Sequence, residues 1–126
     1  LRNSRAFGDN QRTALTGCDR RFVTRRLLMT TTFLLIRHGM TDAVGQVATG
    51  RQPGVLLNAE GRAHVATLPQ RLAAAPIDAV YASPMERTVA TARVLADARG
   101  VDVRIDARFI EIDYGQWSGR RYEDMT

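Results

Sequence analysis

Lysine is absent from these 126 residues, and cysteine occurs once, as Cys18. A lone cysteine excludes an internal disulfide. With no second thiol at ligand spacing it also gives no structural zinc site, so a reducing, cytoplasmic location is the expectation. Without lysine, every side-chain cation other than histidine is a guanidinium, the group that forks best onto phosphate or carboxylate. Long apolar runs are missing too: nothing approaches the roughly 20 residues that cross a bilayer, and no membrane partner is expected. What is present is 44% apolar and 25% charged, the balance of a globular chain. The length allows one domain, burying roughly two thirds of the surface its unfolded form exposes.

The net charge of +5 is unevenly placed. Residues 1–28 hold seven arginines against Asp9 and Asp19, whereas residues 29–126 hold eleven arginines against eleven acids. The leader has no hydrophobic periodicity and reads as disordered and basic, most simply as non-native sequence upstream of a start at Met29. An export signal fits poorly, because Thr30, Thr31 and Thr32 interrupt the apolar part and no small-residue cleavage site follows. A nucleic-acid arm fits poorly as well: only Phe7 and Phe22 interleave the arginines, and no binding module lies behind them. No nucleic-acid partner is expected.

From Met29 onward the pattern is strand, helix, strand, helix, strand. Phe33–Ile36 is a continuous apolar run, as in a strand covered on both faces, and residues 77–83 form a second. Between them Asn58 is a suitable N-cap, with Val65, Leu68, Leu72 and Ala75 at helical spacing and Pro69 placed to kink or divide the helix. Ser83, Pro84 and Glu86 have the spacing of a capping box, Met85, Val89, Ala92 and Ala96 share one face, and Gly100 ends that helix. Residues 101–105 alternate as a third strand. Such an order predicts an α/β fold with a mostly parallel sheet and helices on both faces, which binds ligands beyond the carboxyl ends of its strands.

Three separate stretches deliver polar groups to that edge: Arg37, His38 and Gly39, then Ser83 to Arg87, then Glu111. A neutral imidazole attacks phosphorus well when its ring is held and the phosphate charge is screened. Arg37 and Arg87 can screen it, and Arg87 sits in a first helical turn, where an anion is favoured. Gly39 permits close backbone approach. The departing alkoxide needs a proton, which Glu111 could give where burial or a neighbouring phosphate favours its protonated form. Thr41 and Thr49 could donate to phosphate, although loop threonines usually serve their own turn. Asp113 competes with Glu111, Glu86 reads as a cap, and Tyr114, Trp117 and Tyr122 read as packing. Ser83 reads first as a cap, with a ligand role open.

These residues resemble the histidine phosphatase superfamily, the phosphoglycerate mutase-like enzymes. "LLIRHGMT" is similar to the R-H-G-x-T nucleophile motif, and "TGRQPGVLLNAEGR" to the substrate loop and the L-x-x-x-G helix start. "YASPMERTVATA" resembles the S-P-x-x-R-x-x-x-T-A segment, and "FIEIDYGQWSG" the E-x-x-x-G-x-W-x-G segment. The resemblance covers roughly residues 33–119, in order. It implies a three-layer sandwich with a mostly parallel central sheet. It also implies His38 as phosphorylated nucleophile, Arg37 and Arg87 as phosphoryl binders, and Glu111 as proton donor. Thr41, Thr49, Gly50 and Arg51 become candidate substrate-binding residues for a small phosphorylated substrate, with no metal or organic cofactor.

The family pattern includes a second histidine on a later strand, but this chain has only His38 and His64, the latter an ordinary helical position. The expectation is an N-terminal part of a member, residues 29–126 forming a partial domain incomplete at its C-terminus. An uncovered sheet would make it marginally stable and weakly active or inactive. Val44 and Ile112-Asp113 stand where mutase-type members carry asparagine and Arg-His, so the resemblance favours a phosphatase. The alternatives are a phosphoglycerate mutase-type phosphotransferase and a non-catalytic binder of phosphorylated ligands.

Overall fold

The computed structural model describes residues 30–125; the basic leader over 1–28 lies outside the described residues. The chain divides after Phe33, and the unit from Leu34 onward carries every candidate site residue.

Its first helix, α1 (Ala59–Ala66), starts where Asn58 accepts a hydrogen bond from the Gly61 amide at 2.8 Å. That side chain satisfies one of the donors a helix start leaves without a partner. A second short helix, α2 (Leu68–Arg71), follows at once. Pro69 explains the division: inside a continuous helix its ring would clash one turn back, whereas in a first turn its missing N–H costs nothing.

Strand β1 (Val80–Ala82), helix α3 (Glu86–Arg99) and strand β2 (Val103–Ile105) then form one β-α-β unit. The strands are parallel, with Val80 opposite Val103 and Ala82 opposite Ile105. Gly100 ends α3 in the left-handed region at φ 65°, where a glycine carries no Cβ penalty. Val80 and Ala82 point into the core, and α3 packs against both strands while α1 and α2 pack against α3. Met85, Leu95, Ala96, Val65, Leu57 and Ala48 complete the buried apolar set. On the other face Tyr81 is half exposed, with the Arg104 guanidinium 5.5 Å from its ring centre and Phe109 edge-on at 6.4 Å.

Two expectations need correction. The predicted capping box does not form: α3 begins at Glu86, and its N-cap is Met85, with no side-chain bond. Thr88 competes for the same groups, its Oγ1 lying 2.8 Å from both the Ser83 carbonyl and Ser83 Oγ. Glu86 meanwhile accepts from the Gly54 amide at 3.0 Å. The predicted strand over Phe33–Ile36 is not laddered among the described residues, and Leu35 is 96% exposed. A strand needs a neighbour's N–H and C=O groups, and among the described residues β1 and β2 bond to each other and neither bonds to this run. No helix among the described residues is long and apolar enough to cross a membrane.

Candidate active site

His38 lies on a loop held between two helices. Its Nδ1 is 2.7 Å from the Gly39 carbonyl. A carbonyl only accepts, so Nδ1 is the donor, and in the neutral ring Nε2 then keeps its lone pair. The Gly39 amide donates to Thr91 Oγ1 on α3 at 3.0 Å, and Thr91 Oγ1 donates to the Arg87 carbonyl at 2.8 Å. From the α1 side, the Asn58 amide donates to the Met40 carbonyl at 3.0 Å. Gly61 faces the same peptide so closely that a Cβ there would fall 2.1 Å from the Met40 oxygen. The glycine four residues after Leu57 is thus needed for the loop to reach α1.

Arg87 is 2% exposed. Its Nη2 donates to the Gly50 carbonyl at 2.8 Å, while Nε and Nη1 are buried with no hydrogen-bond partner among the described residues. A buried guanidinium left two-thirds unpaired is unfavourable by several kcal/mol, on the order of the desolvation of one ion. An oxyanion would supply what is missing.

The loop carrying Gly50 is fastened to the later segment 111–122. The Ala48 amide donates to the Arg120 carbonyl and the Gly119 amide to the Ala48 carbonyl, each at 2.9 Å. Val47 and Arg121 form an isolated antiparallel bridge. Arg51 Nε donates to the Glu111 carbonyl at 2.7 Å, and its Nη1 stands 3.8 Å from Asp113 Oδ2. At Gly50, with φ 45°, a Cβ would come within 2.7 Å of the Ile112 oxygen and of Tyr114 Cδ2. Glu86, whose carboxylate is held below the usual range by the Gly54 amide and then by its own, ties the far end of the loop to α3.

The residues singled out in the sequence therefore fall into three groups. His38, through Gly39, and Arg87 meet on α3, with Gly50 against Arg87. Glu111 and Arg51 form a neighbouring cluster with Asp113. Glu111 is exposed, and its carboxylate accepts from the Ile112 amide at 2.9 Å. Arg37 is exposed, Thr41 is buried, and Thr49 is half-buried. Trp117 and Tyr122, expected to pack, are half exposed, while Tyr114 lies against Gly50. His64 is exposed on α1.

Thr91 is the threonine of the S-P-x-x-R-x-x-x-T-A segment, to which the sequence assigns no role. Its signal is that Arg87, Thr91 and Leu95 occupy one buried stripe, two of the three being polar. Among the described residues no three His, Cys, Asp or Glu side chains gather as metal ligands. An open groove of about 470 Å³ between α3 and β2, lined by Val89, Arg93 and Asp102 among others, contains none of these candidates.

Comparison with known proteins gives one consistent family. The model described as histidine phosphatase superfamily (branch 1) matches residues 33–126. Phosphoserine phosphatase 1 of Hydrogenobacter thermophilus is 35% identical over 95 residues, covering 73% of this chain and 44% of that protein. The 2,3-bisphosphoglycerate-dependent phosphoglycerate mutase of Thermoplasma acidophilum is 32% identical over 94 residues, covering 74% of this chain and 47% of that protein. The structure of a mycobacterial glucosyl-3-phosphoglycerate phosphatase in complex with VO3 superposes with a TM-score of 0.66 at 28% identity. It covers 70% of this chain and 44% of that one. The chain spans less than half the length of these relatives.

Proposed function

This chain belongs to the histidine phosphatase superfamily, and from that premise we propose that it is a phosphomonoester hydrolase working through a phosphohistidine on His38. The observation that carries the reading is Arg87: a guanidinium 2% exposed, with Nε and Nη1 unpaired, on the helix that also holds the loop of His38. Each of those two nitrogens has an N–H to offer an oxyanion, and a hydrogen bond from a charged donor is roughly twice as strong as one between neutral groups.

In this reading the ester phosphate enters with its oxygens on Arg87, and the exposed Arg37 adds a second cation. His38 Nε2 attacks phosphorus while Nδ1–H stays on the Gly39 carbonyl, which stabilises the positive charge that develops on the ring. The P–O bond to the alcohol breaks, and protonated Glu111 gives its proton to the leaving oxygen. Water then attacks the phosphohistidine, the P–N bond breaks, and Glu111 recovers a proton as inorganic phosphate leaves. Thr41, Thr49, Gly50 and Arg51 belong to the substrate loop, where Gly50 supports Arg87 and Arg51 ties the loop to Glu111. Val44 and Ile112-Asp113 favour hydrolysis over transfer to a second phosphoglycerate. The single cysteine is the ground for a cytoplasmic location.

The test is transfer of label from ³²P-labelled p-nitrophenyl phosphate to the purified chain. Acid-labile, alkali-stable label that disappears in His38→Ala and is chased into inorganic phosphate by water supports hydrolysis. Label that passes instead to a phosphoglycerate supports the mutase alternative. No label, with phosphate still retained at Arg87, leaves a binder without turnover.

A further inference from the structure

The Thr91 hydroxyl has a single proton and spends it on the Arg87 carbonyl at 2.8 Å, so the lone pair it turns toward Gly39 can only accept. Gly39 fills that role with its amide at 3.0 Å, across 52 residues of sequence. Thr91 is 5% exposed, which leaves water little access to replace it. Both polar groups of Gly39 are then in use: N–H on Thr91, C=O on His38 Nδ1. On the remaining side its Cα faces Val65 Cγ2, where a Cβ would fall at 2.6 Å, and Gly61 O, at 3.0 Å. The residue whose carbonyl orients the imidazole is therefore held through its own amide by the Thr91 hydroxyl and by close packing on Val65 and Gly61, with Asn58 holding the next carbonyl, that of Met40.

We propose that Thr91 is a positioning residue that registers His38 against Arg87. It stands one turn after Arg87 on α3, and that helix carries the guanidinium as a rigid body, so the hydroxyl fixes imidazole and guanidinium in a common frame. The proposal rests on the reading of His38 as the phosphorylated group. A displacement of about 1 Å in a reacting group can lower a rate on the order of 100-fold, so small slippage of Gly39 is sufficient.

Three variants separate positioning from packing. Thr91→Val keeps the shape and loses the hydroxyl, Thr91→Ser keeps the hydroxyl and loses a methyl, and Thr91→Ala loses both. Expected for Thr91→Val is a fall in the rate of ³²P labelling of between roughly 10-fold and 100-fold, with the thermal response to inorganic phosphate retained and Thr91→Ser restoring the labelling rate to near the parent. The ring nitrogens of His38, read by ¹⁵N NMR, should show protonated Nδ1 in the parent and in Thr91→Ser, and a mixture of tautomers in Thr91→Val. Unchanged labelling and an unchanged tautomer in Thr91→Val would overturn the proposal, as would equal losses in Thr91→Val and Thr91→Ser.

Should the parent chain take no label, the phosphohistidine reading fails, and the tautomer measurement still decides whether Thr91 holds the ring. Should Thr91→Val not fold, hydrogen exchange at the Gly39 amide of the parent decides. Protection comparable to α3 upholds the bond to Thr91, and exchange at the rate of an open loop removes it.

Discussion

Arg87 Nη2 donates to the Gly50 carbonyl at 2.8 Å, so the guanidinium that would hold phosphate also fixes the backbone of the loop over it. One side chain thereby sets both the floor of the site and the position of its cover. Its other two nitrogens have no partner among the described residues, an arrangement that is costly without an anion and favourable with one.

That asymmetry gives the first prediction. Arg87→Met removes an unpaired buried charge and should leave thermal stability in phosphate-free buffer equal to or above that of the parent. The parent should gain about 2.7 kcal/mol when inorganic phosphate reaches 100 times its dissociation constant, and Arg87→Met should gain nothing. Differential scanning fluorimetry across a phosphate series reads both effects. An equal phosphate response in the two proteins would place the anion elsewhere.

Gly61 supplies the second. Alanine is the better helix former by up to about 1 kcal/mol. Here, however, its Cβ would meet the Met40 carbonyl oxygen at 2.1 Å, and backbone cannot rotate away as a side chain can. Overpacking of this kind costs about 1–3 kcal/mol, so the clash outweighs the propensity and Gly61→Ala should be destabilised. Urea denaturation measures the difference, and a gain in stability would mean that the loop of His38 does not lie on α1.

The third concerns acid. Glu86 accepts from the Gly54 amide, which holds its carboxyl below the ordinary value of 4.5 in the folded protein. A group whose folded value is depressed contributes stability that is present above the unfolded value and lost as pH falls through the folded one. Urea midpoints should therefore drop below pH 4.5, and Glu86→Gln should drop less. Asp106, taken down to about 2 by the Arg108 side chain and then its amide, adds a loss at lower pH that Glu86→Gln leaves in place. Parallel curves for Glu86→Gln and the parent would show that the contact to the loop is absent in solution.

What could be read from the sequence follows the range of each interaction. Asn58 as N-cap, Pro69 as divider and Gly100 as C-cap were legible because each acts within one turn of its own helix. The capping box was misread for the same reason in reverse: Thr88, only five residues on, offers Ser83 a better local partner, and Gly54 draws Glu86 away. The apolar run ending at Ile36 has the composition of a strand, yet strand formation depends on a neighbour that local composition does not reveal. In the site, Arg87 was legible from its first-turn position. Its link to Gly50 and that of Thr91 to Gly39 span 37 and 52 residues, so helical spacing sets Arg87 and Thr91 on one stripe without showing what each meets.

The account stands on His38 and Arg87 serving a single anion. A crystal of this chain soaked in orthovanadate tests that directly, since vanadate accepts an imidazole ligand as phosphorus would. The prediction is vanadium bonded to His38 Nε2, with an equatorial oxygen accepting from Arg87 Nε or Nη1. Vanadate seated on Arg87 with the His38 ring beyond bonding reach, or bound away from both, would contradict it.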